Sequence, residues 1–359
     1  MKNLIHICPL VFAAACTTPY AIPPNAIANP ILVVDGAVYA SGDSSVIRLT
    51  RSAPLGDTFV IPFEAGAHVL LKTPGGGPSY SFRETDSGYY TLPAQNLDRS
   101  LTYRLNITLA GGQQYLSDYV PVVPTPTIDS ISWQQAPGAG VTIYANTHDP
   151  TNSIHYYMWT YVETYEYRSY YTSKFIFEND TPVNICYISY PSTNLLLAST
   201  AALSNDVVYH APLEIIPYRS IKLCWKYTTI VTQTALTQGG YTYWQNMQAN
   251  SEDLGSIFGP QPFQPAGNIH SVSNPGETVA GYLTVTTPQV VRIWITNAQL
   301  NDWTLPNPGC PYDTMTLADQ NNPGWVPIDS ANHKYLGTFA GCGDCRFDGG
   351  KVAPPTFWQ

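Results

Sequence analysis

The chain has 359 residues, with 31 Pro, 26 Gly and 26 Tyr, while Asp, Glu, Lys and Arg together reach only 11% against a typical quarter. So few charges beside 13% aromatics exclude a disordered chain and a long-helix or coiled-coil protein, and a net charge of −9 argues against a surface that tracks nucleic-acid phosphates. Tyr, Thr, Val and Ile suit pleated sheet, frequent Pro and Gly punctuate short strands, and the length fits about two domains, each with its own core.

Residues 1–15 have the form of a signal peptide: Lys2 precedes a short, mostly apolar run from Leu4 to Ala15, too short to span a bilayer. Ala14-Ala15-Cys16 resembles a bacterial lipobox, which makes Cys16 the expected lipidation site and the first residue of the mature chain. No later stretch approaches eighteen apolar residues, so the expected attachment is a lipid anchor and not a membrane span. Residues 16–30 read as a tether. Over 31–123, seven candidate strands (Ile31 to Tyr39, Ser45 to Arg51, His68 to Lys72, Tyr80 to Arg83, Tyr89 to Leu92, Leu101 to Leu109 and Gln114 to Val120) alternate with Gly-containing turns. That spacing predicts an Ig-like or transthyretin-like sandwich, and the run Gly66 to Leu71 with Ser87 to Tyr90 is similar to carboxypeptidase regulatory-like modules. Pro121, Pro124 and Pro126 mark a stiff boundary.

Residues 127–359 read as a larger antiparallel β-sandwich. Its centre is the run Tyr156 to Tyr167, whose odd positions are nearly all aromatic: a period of two makes it a strand. Further strands are expected at Ser130 to Trp133, Val141 to Ala145, Asn184 to Ile188, Leu195 to Ala198, Ser220 to Thr229, Val279 to Thr286 and Val290 to Ile295. One helix is expected near 233–250, where Leu236, Tyr243, Trp244 and Met247 share a helical face although Gly239-Gly240 weakens it. The fold class is therefore all-β, with one inserted helix.

Few residues point to chemistry, and no catalytic, cofactor-binding or metal site is assigned. Gly42-Asp43-Ser44 lies between two strands and reads as a turn, with no Gly-x-Ser-x-Gly elbow anywhere. His148-Asp149 and His155 bracket a Pro-Thr-Asn segment that an Asx-type turn explains more simply than a metal. Glu163 and Glu166, three apart on a strand, face opposite sides and cannot act as an acid–base pair. If Cys8 leaves with the signal and Cys16 is lipidated, five cysteines remain: two disulfides and one free thiol in an oxidising envelope, with a Cys342/Cys345 redox pair or a zinc site with Cys310 and His333 as alternatives. Cys224, on a strand face with Lys222 and Lys226, is the candidate free thiol.

The run His148-Asp149-Pro150 to Tyr156-Tyr157-Met158-Trp159 and on to Tyr167 resembles the central signature of the domain of unknown function 4249 family, outer-membrane lipoproteins of Bacteroidota. Leu32 to Gly36, Val46 to Arg51, Gly255 to Pro262 with Gly267-Asn268-Ile269, Gly281-Tyr282, Cys342 to Arg346 and Phe357-Trp358 also match, in order. The resemblance implies an Ig-like or carboxypeptidase regulatory-like module followed by a family-specific β-rich domain. It also implies association with TonB-dependent transporters and no defining enzymatic activity, and it makes Cys186, Cys310, Cys342 and Cys345 the disulfide cysteines. The stretch Thr17 to Ile22 contains no acid, which weakens export to the cell surface while leaving outer-membrane attachment in place. The expected function is a non-enzymatic, lipid-anchored accessory or ligand-binding partner of a TonB-dependent nutrient transporter, taking a glycan or peptide ligand and no nucleic acid. Its alternative is a surface glycan-binding protein or a glycan-active enzyme. Tyr157, Trp159, Tyr161, Tyr165 and Tyr167 are the candidate partner surface, against the plainer reading that most tyrosines tile the cores.

Overall fold

A computed structural model describes residues 30–53, 61–252, 267–305, 309–316, 319 and 322–358. The expected signal peptide, Cys16 and nearly all of the expected tether lie outside these residues. Within them the chain is all-β, with one long helix, Gln238–Glu252.

In the first sandwich, Leu32–Tyr39 pairs antiparallel with Ser45–Arg51, which pairs with Tyr89–Leu92. The facing layer is built on Thr102–Thr108, flanked by His68–Lys72 and Gln114–Ser117. Alternation fills the space between the layers: Tyr103, Leu105 and Ile107 meet Leu32, Ile47, Leu49 and Tyr90, all fully buried. Gly36 sits at φ 128° where a Cβ would lie 2.2 Å from the Val46 carbonyl oxygen, so only glycine lets the first two strands close up there.

This sandwich does not end at residue 123. Ile269–Ser271 pairs with Gln114–Ser117, and Val279–Gly281 and Val285–Thr287 lie parallel to Leu32–Tyr39. Residues 269–287, expected in the second part, thus complete the first. The reason is the free edge of Leu32–Tyr39: a parallel partner cannot come from a tight hairpin and must return from a distant part of the chain. The proline boundary changes with it. Val120–Pro124 is itself a strand, parallel to Val285–Thr287, with Pro121 and Pro124 at exposed positions. Beyond it, the Ala235 N–H donates to Thr125 Oγ1 (2.9 Å) and Gln233 Nε2 to the Pro126 carbonyl (2.9 Å), so the joint is tied on several sides.

The second sandwich opposes a three-stranded sheet (Ile128–Ala136, Gly140–His148, Val207–Ile216) to a five-stranded one. The latter is centred on Tyr156–Arg168 and Lys226–Ala235, with Ile185–Pro191, Leu196–Ser199 and Gln289–Thr296 alongside. Lys226–Ala235 is bonded on both edges, which keeps Gln233 to Ala235 in a strand and delays the helix to Gln238. The glycines that weaken the helix propensity have a packing reason: a Cβ on Gly239 would lie 2.7 Å from the Tyr282 hydroxyl. Ser220 caps a short 3-10 turn, Ile221–Leu223, where a strand from Ser220 was expected. Cys224 follows that turn, free and buried, and burial pushes its thiol up to about 11.

A C-terminal lobe, which the periodicity does not reveal, consists of Tyr312–Thr314, Trp325–Ala331 and Lys334–Phe339 in one antiparallel sheet. Two disulfides tie it down, Cys310–Cys342 within the lobe and Cys186–Cys345 back to the large sheet. Cys342 and Cys345 therefore take different partners, which removes both the redox pair and a zinc site on these sulfurs. The tail continues along the sheet edge, where Tyr187 and Lys351 exchange backbone hydrogen bonds and Trp358 packs on Trp294 and Tyr187.

Candidate functional site: exposed rings on a disulfide-tied lobe

The five rings expected at a partner surface are in the core. Tyr157, Trp159, Tyr161 and Tyr165 are buried and Tyr167 is half-buried, because the odd face of Tyr156–Arg168 looks across the sandwich at Val141, Ile143, Ala145, Leu213 and Ile216. Their polar atoms are used inside. The Tyr157 hydroxyl donates to Asp206, Trp159 Nε1 to Gln233 Oε1 (2.8 Å) and the Tyr161 hydroxyl to Glu214. Burial first, and then these carboxylates, raise the pKa of Tyr157 and Tyr161; burial pushes Tyr165 up to about 12, and burial with Asp348 raises Tyr167. A strand central in its sheet, facing a second sheet, has no face to spare for a partner on that side.

The same face carries a charged group the sequence reading set aside. Lys222 Nζ lies 2.7 Å from Glu163 Oε1 and 3.3 Å from Glu214 Oε1, with the Tyr227 ring fully buried beside them. Burial raises the Glu163 pKa, and Lys222 opposes that shift. Burial also works against the Lys222 ammonium, but its bonds to Glu163 and Glu214 outweigh it and raise its pKa. Glu166 is on the other face, paired with Arg168 at 2.5 Å. Two carboxylates sharing one lysine form an internal tie in the sandwich core. The Asp149 segment is a closed turn: its carboxylate accepts from the N–H groups of Thr151, Ser153 and Ile154 and from both hydroxyls. Burial alone would raise its pKa, but those donors outweigh it and hold the carboxyl far below the usual range. His148 pairs instead with Asp129 at 2.8 Å. Ser44 is exposed on its turn.

Among the rings left facing solvent, a group clusters on the lobe and on the loop after Arg168: Tyr170, Phe175, Phe177, Tyr312, Tyr335, Phe339 and Phe347. Phe175 meets Tyr335 edge-on at 5.1 Å, and Tyr171 meets Tyr312 at 5.9 Å. Two open clefts lie between them. One, of about 340 Å³, is lined by Tyr171, Lys174, Tyr312, Asp329 and Leu336; the other, of about 250 Å³, by Phe175, Met315, Trp325, Pro327 and Tyr335. Lys174 bridges to Asp329 at 2.8 Å on the rim. The loop is not loosely draped: the Tyr171 N–H donates to the Cys342 carbonyl (2.8 Å), the Lys174 N–H to that of Ile328 (3.0 Å) and the Ser173 hydroxyl to that of Pro327 (2.6 Å). Aromatic groups with a polar rim on a covalently fastened support can contact a partner at little ordering cost. The signal available in the sequence was the run Tyr170, Tyr171, Phe175, Phe177, whose aromatics continue past the strand without its alternation.

A search of curated proteins finds no match. Among solved structures the chain is similar to a two-domain fibronectin type III segment of chicken tenascin, at 12% identity over 58% of this chain and 92% of that one, with a TM-score of 0.17. It is similar as well to the FN1–FN3 domains of chicken CNTN1, at 12% identity over 59% and 64%, with a TM-score of 0.19. Residues 17–291 match the model of the domain of unknown function family DUF4249, and the chain belongs to that family.

Proposed function

We propose that the protein is a lipid-anchored outer-membrane lipoprotein, acting without enzymatic chemistry as an accessory or ligand-binding partner of a TonB-dependent nutrient transporter. The anchor rests on the short apolar run ending at Cys16, and the two disulfides suit an oxidising envelope. The observation that carries the binding role is the set of exposed rings around Phe175, Tyr312 and Tyr335 on a lobe fastened by both disulfides. Aromatic side chains are enriched at the centres of protein interfaces because each buries a large area with few rotatable bonds.

The test is purification of the full-length protein from its native membranes after mild solubilisation, with identification of what accompanies it. A transporter should co-purify with the wild type and be depleted with Phe175→Ala/Tyr335→Ala. Recovery of the wild type as a lone monomer refutes the accessory role. Cys16→Ala should move the protein out of the membrane fraction; retention there refutes the lipid anchor.

A further inference from the structure

The most exposed large ring is not on the lobe. Tyr209, 75% exposed, stands on Val207–Ile216, an edge strand of the three-stranded sheet. The pairing of this strand with Gly140–His148 slips there: Ala145 faces Ala211 and Thr147 faces Val208, so Tyr209 and His210 together oppose the single residue Asn146. This is a β-bulge. His210 adopts φ 52°, the only positive-φ non-glycine inside a strand among the described residues. Its N–H has left the ladder and donates instead to Asn146 Oδ1 at 2.9 Å.

The bulge has a geometric result. Consecutive residues of a regular strand point to opposite faces, yet here the Tyr209 and His210 rings stack at 4.0 Å with planes 11° apart. His210 stacks in turn on Tyr144 at 4.8 Å and 22°. Three rings form a pile whose outer member is open to solvent, held by a left-handed backbone that a histidine adopts only against a steric penalty. The surrounding face is uncharged and mixed: exposed Pro212 faces Tyr144 and Ile215, 65% exposed, faces Thr142, while the other two strands bring polar groups. Ser130 pairs with Asn146, Ser132 with Tyr144 and Gln134 with Thr142, and cross-strand partners share a face. Asn146 Nδ2 donates to Ser130 Oγ (3.1 Å) and Ser132 Oγ (3.4 Å), which fixes the amide. The nearest charges on these strands, His148 and Asp129, are paired with each other.

We infer that this face is a carbohydrate-binding platform, with the free side of Tyr209 stacking on the apolar C–H face of a neutral pyranose while the neighbouring hydroxyls and amide hydrogen-bond its hydroxyl groups. A flat aromatic surface set among uncharged hydrogen-bonding groups fits an uncharged, flat, hydroxyl-rich ligand. It offers no charge for an anion. The inference is independent of the transporter role and of the lobe.

The test is affinity electrophoresis of the full-length, detergent-solubilised protein in native gels cast with dextran, soluble starch, xyloglucan or galactomannan. At least one polysaccharide should retard the wild type. Tyr209→Ala should weaken that binding about tenfold, Tyr209→Phe should retain it, and His210→Gly, which removes the middle ring while relieving the backbone, should weaken it without lowering thermal stability. Absence of retardation in all four gels overturns the inference. Retardation that Tyr209→Ala leaves unchanged overturns the platform and places sugar binding elsewhere on the chain.

Discussion

Replacing Lys222 by Met preserves most of the side-chain volume and deletes the charge shared by Glu163 and Glu214. The Glu163 side chain is 6% exposed, its Oε1 loses the 2.7 Å contact, and its Oε2 already accepts no hydrogen bond of good geometry, whereas Glu214 keeps the Tyr161 hydroxyl. A buried carboxylate left in this way takes up a proton. From its ordinary value of 4.5, protonation at pH 7 costs about 1.36 × 2.5, or roughly 3.4 kcal/mol, which caps the penalty and falls at the low end of the range for breaking a buried pair. The folded pKa of Glu163 in the variant lies above its unfolded value. In the wild type it is already raised, by less, so the deficit relative to wild type is small at low pH, opens above the wild-type folded pKa and grows by about 1.4 kcal/mol per pH unit up to that of the variant. The deficit should lie between about 1 and 3 kcal/mol at pH 7 and be under about 1 kcal/mol at pH 5, read by urea unfolding with tryptophan fluorescence, and Glu163→Gln added to Lys222→Met should recover most of it. An equal deficit at both pH values, or a loss below about 1 kcal/mol at pH 7, would refute the reasoning.

Loop closure ranks the disulfides. The Cys186–Cys345 bond, spanning 159 residues, should contribute up to about 5 kcal/mol, and Cys310–Cys342, spanning 32, up to about 4, measured by guanidinium unfolding of the paired alanine variants. Gly36→Ala should cost at least about 2 kcal/mol, seen as a lowered Tm, because the new Cβ meets the Val46 carbonyl oxygen at 2.2 Å and the backbone sits at φ 128°. Asp149→Ala should lose about 2 kcal/mol at pH 7 by orphaning the turn donors. Since the native Asp149 pKa lies below its unfolded value of 3.8, that contribution is complete above about pH 4 and lost as pH falls further; acid unfolding of the variant should therefore be less steep between about pH 4 and 2.

The strand alternation of Tyr156 to Tyr167, the strands of residues 31–123, the all-β class, the four disulfide cysteines and the helix near Gln238 were legible in the sequence. Each is local: a period of two, a turn dipeptide or a helical face is written in neighbouring residues, or, for the cysteines, in a family resemblance. What remained open was which side of a strand meets another layer. Trp159 and Tyr161 belong to the core only because Val141, Ile143 and Leu213, from strands joined through other connections, close over them. The same holds for Val285–Thr287, which completes the first sandwich by pairing parallel to strands more than 160 residues earlier in the chain. It holds again for Tyr209, exposed and stacked because one extra residue opposite Asn146 turns its neighbour the same way. Local pattern decides that a strand forms and which residues share a face. Whether that face becomes core or surface depends on which distant strands pair with it and cover it, and those contacts exist only once the chain has closed on itself.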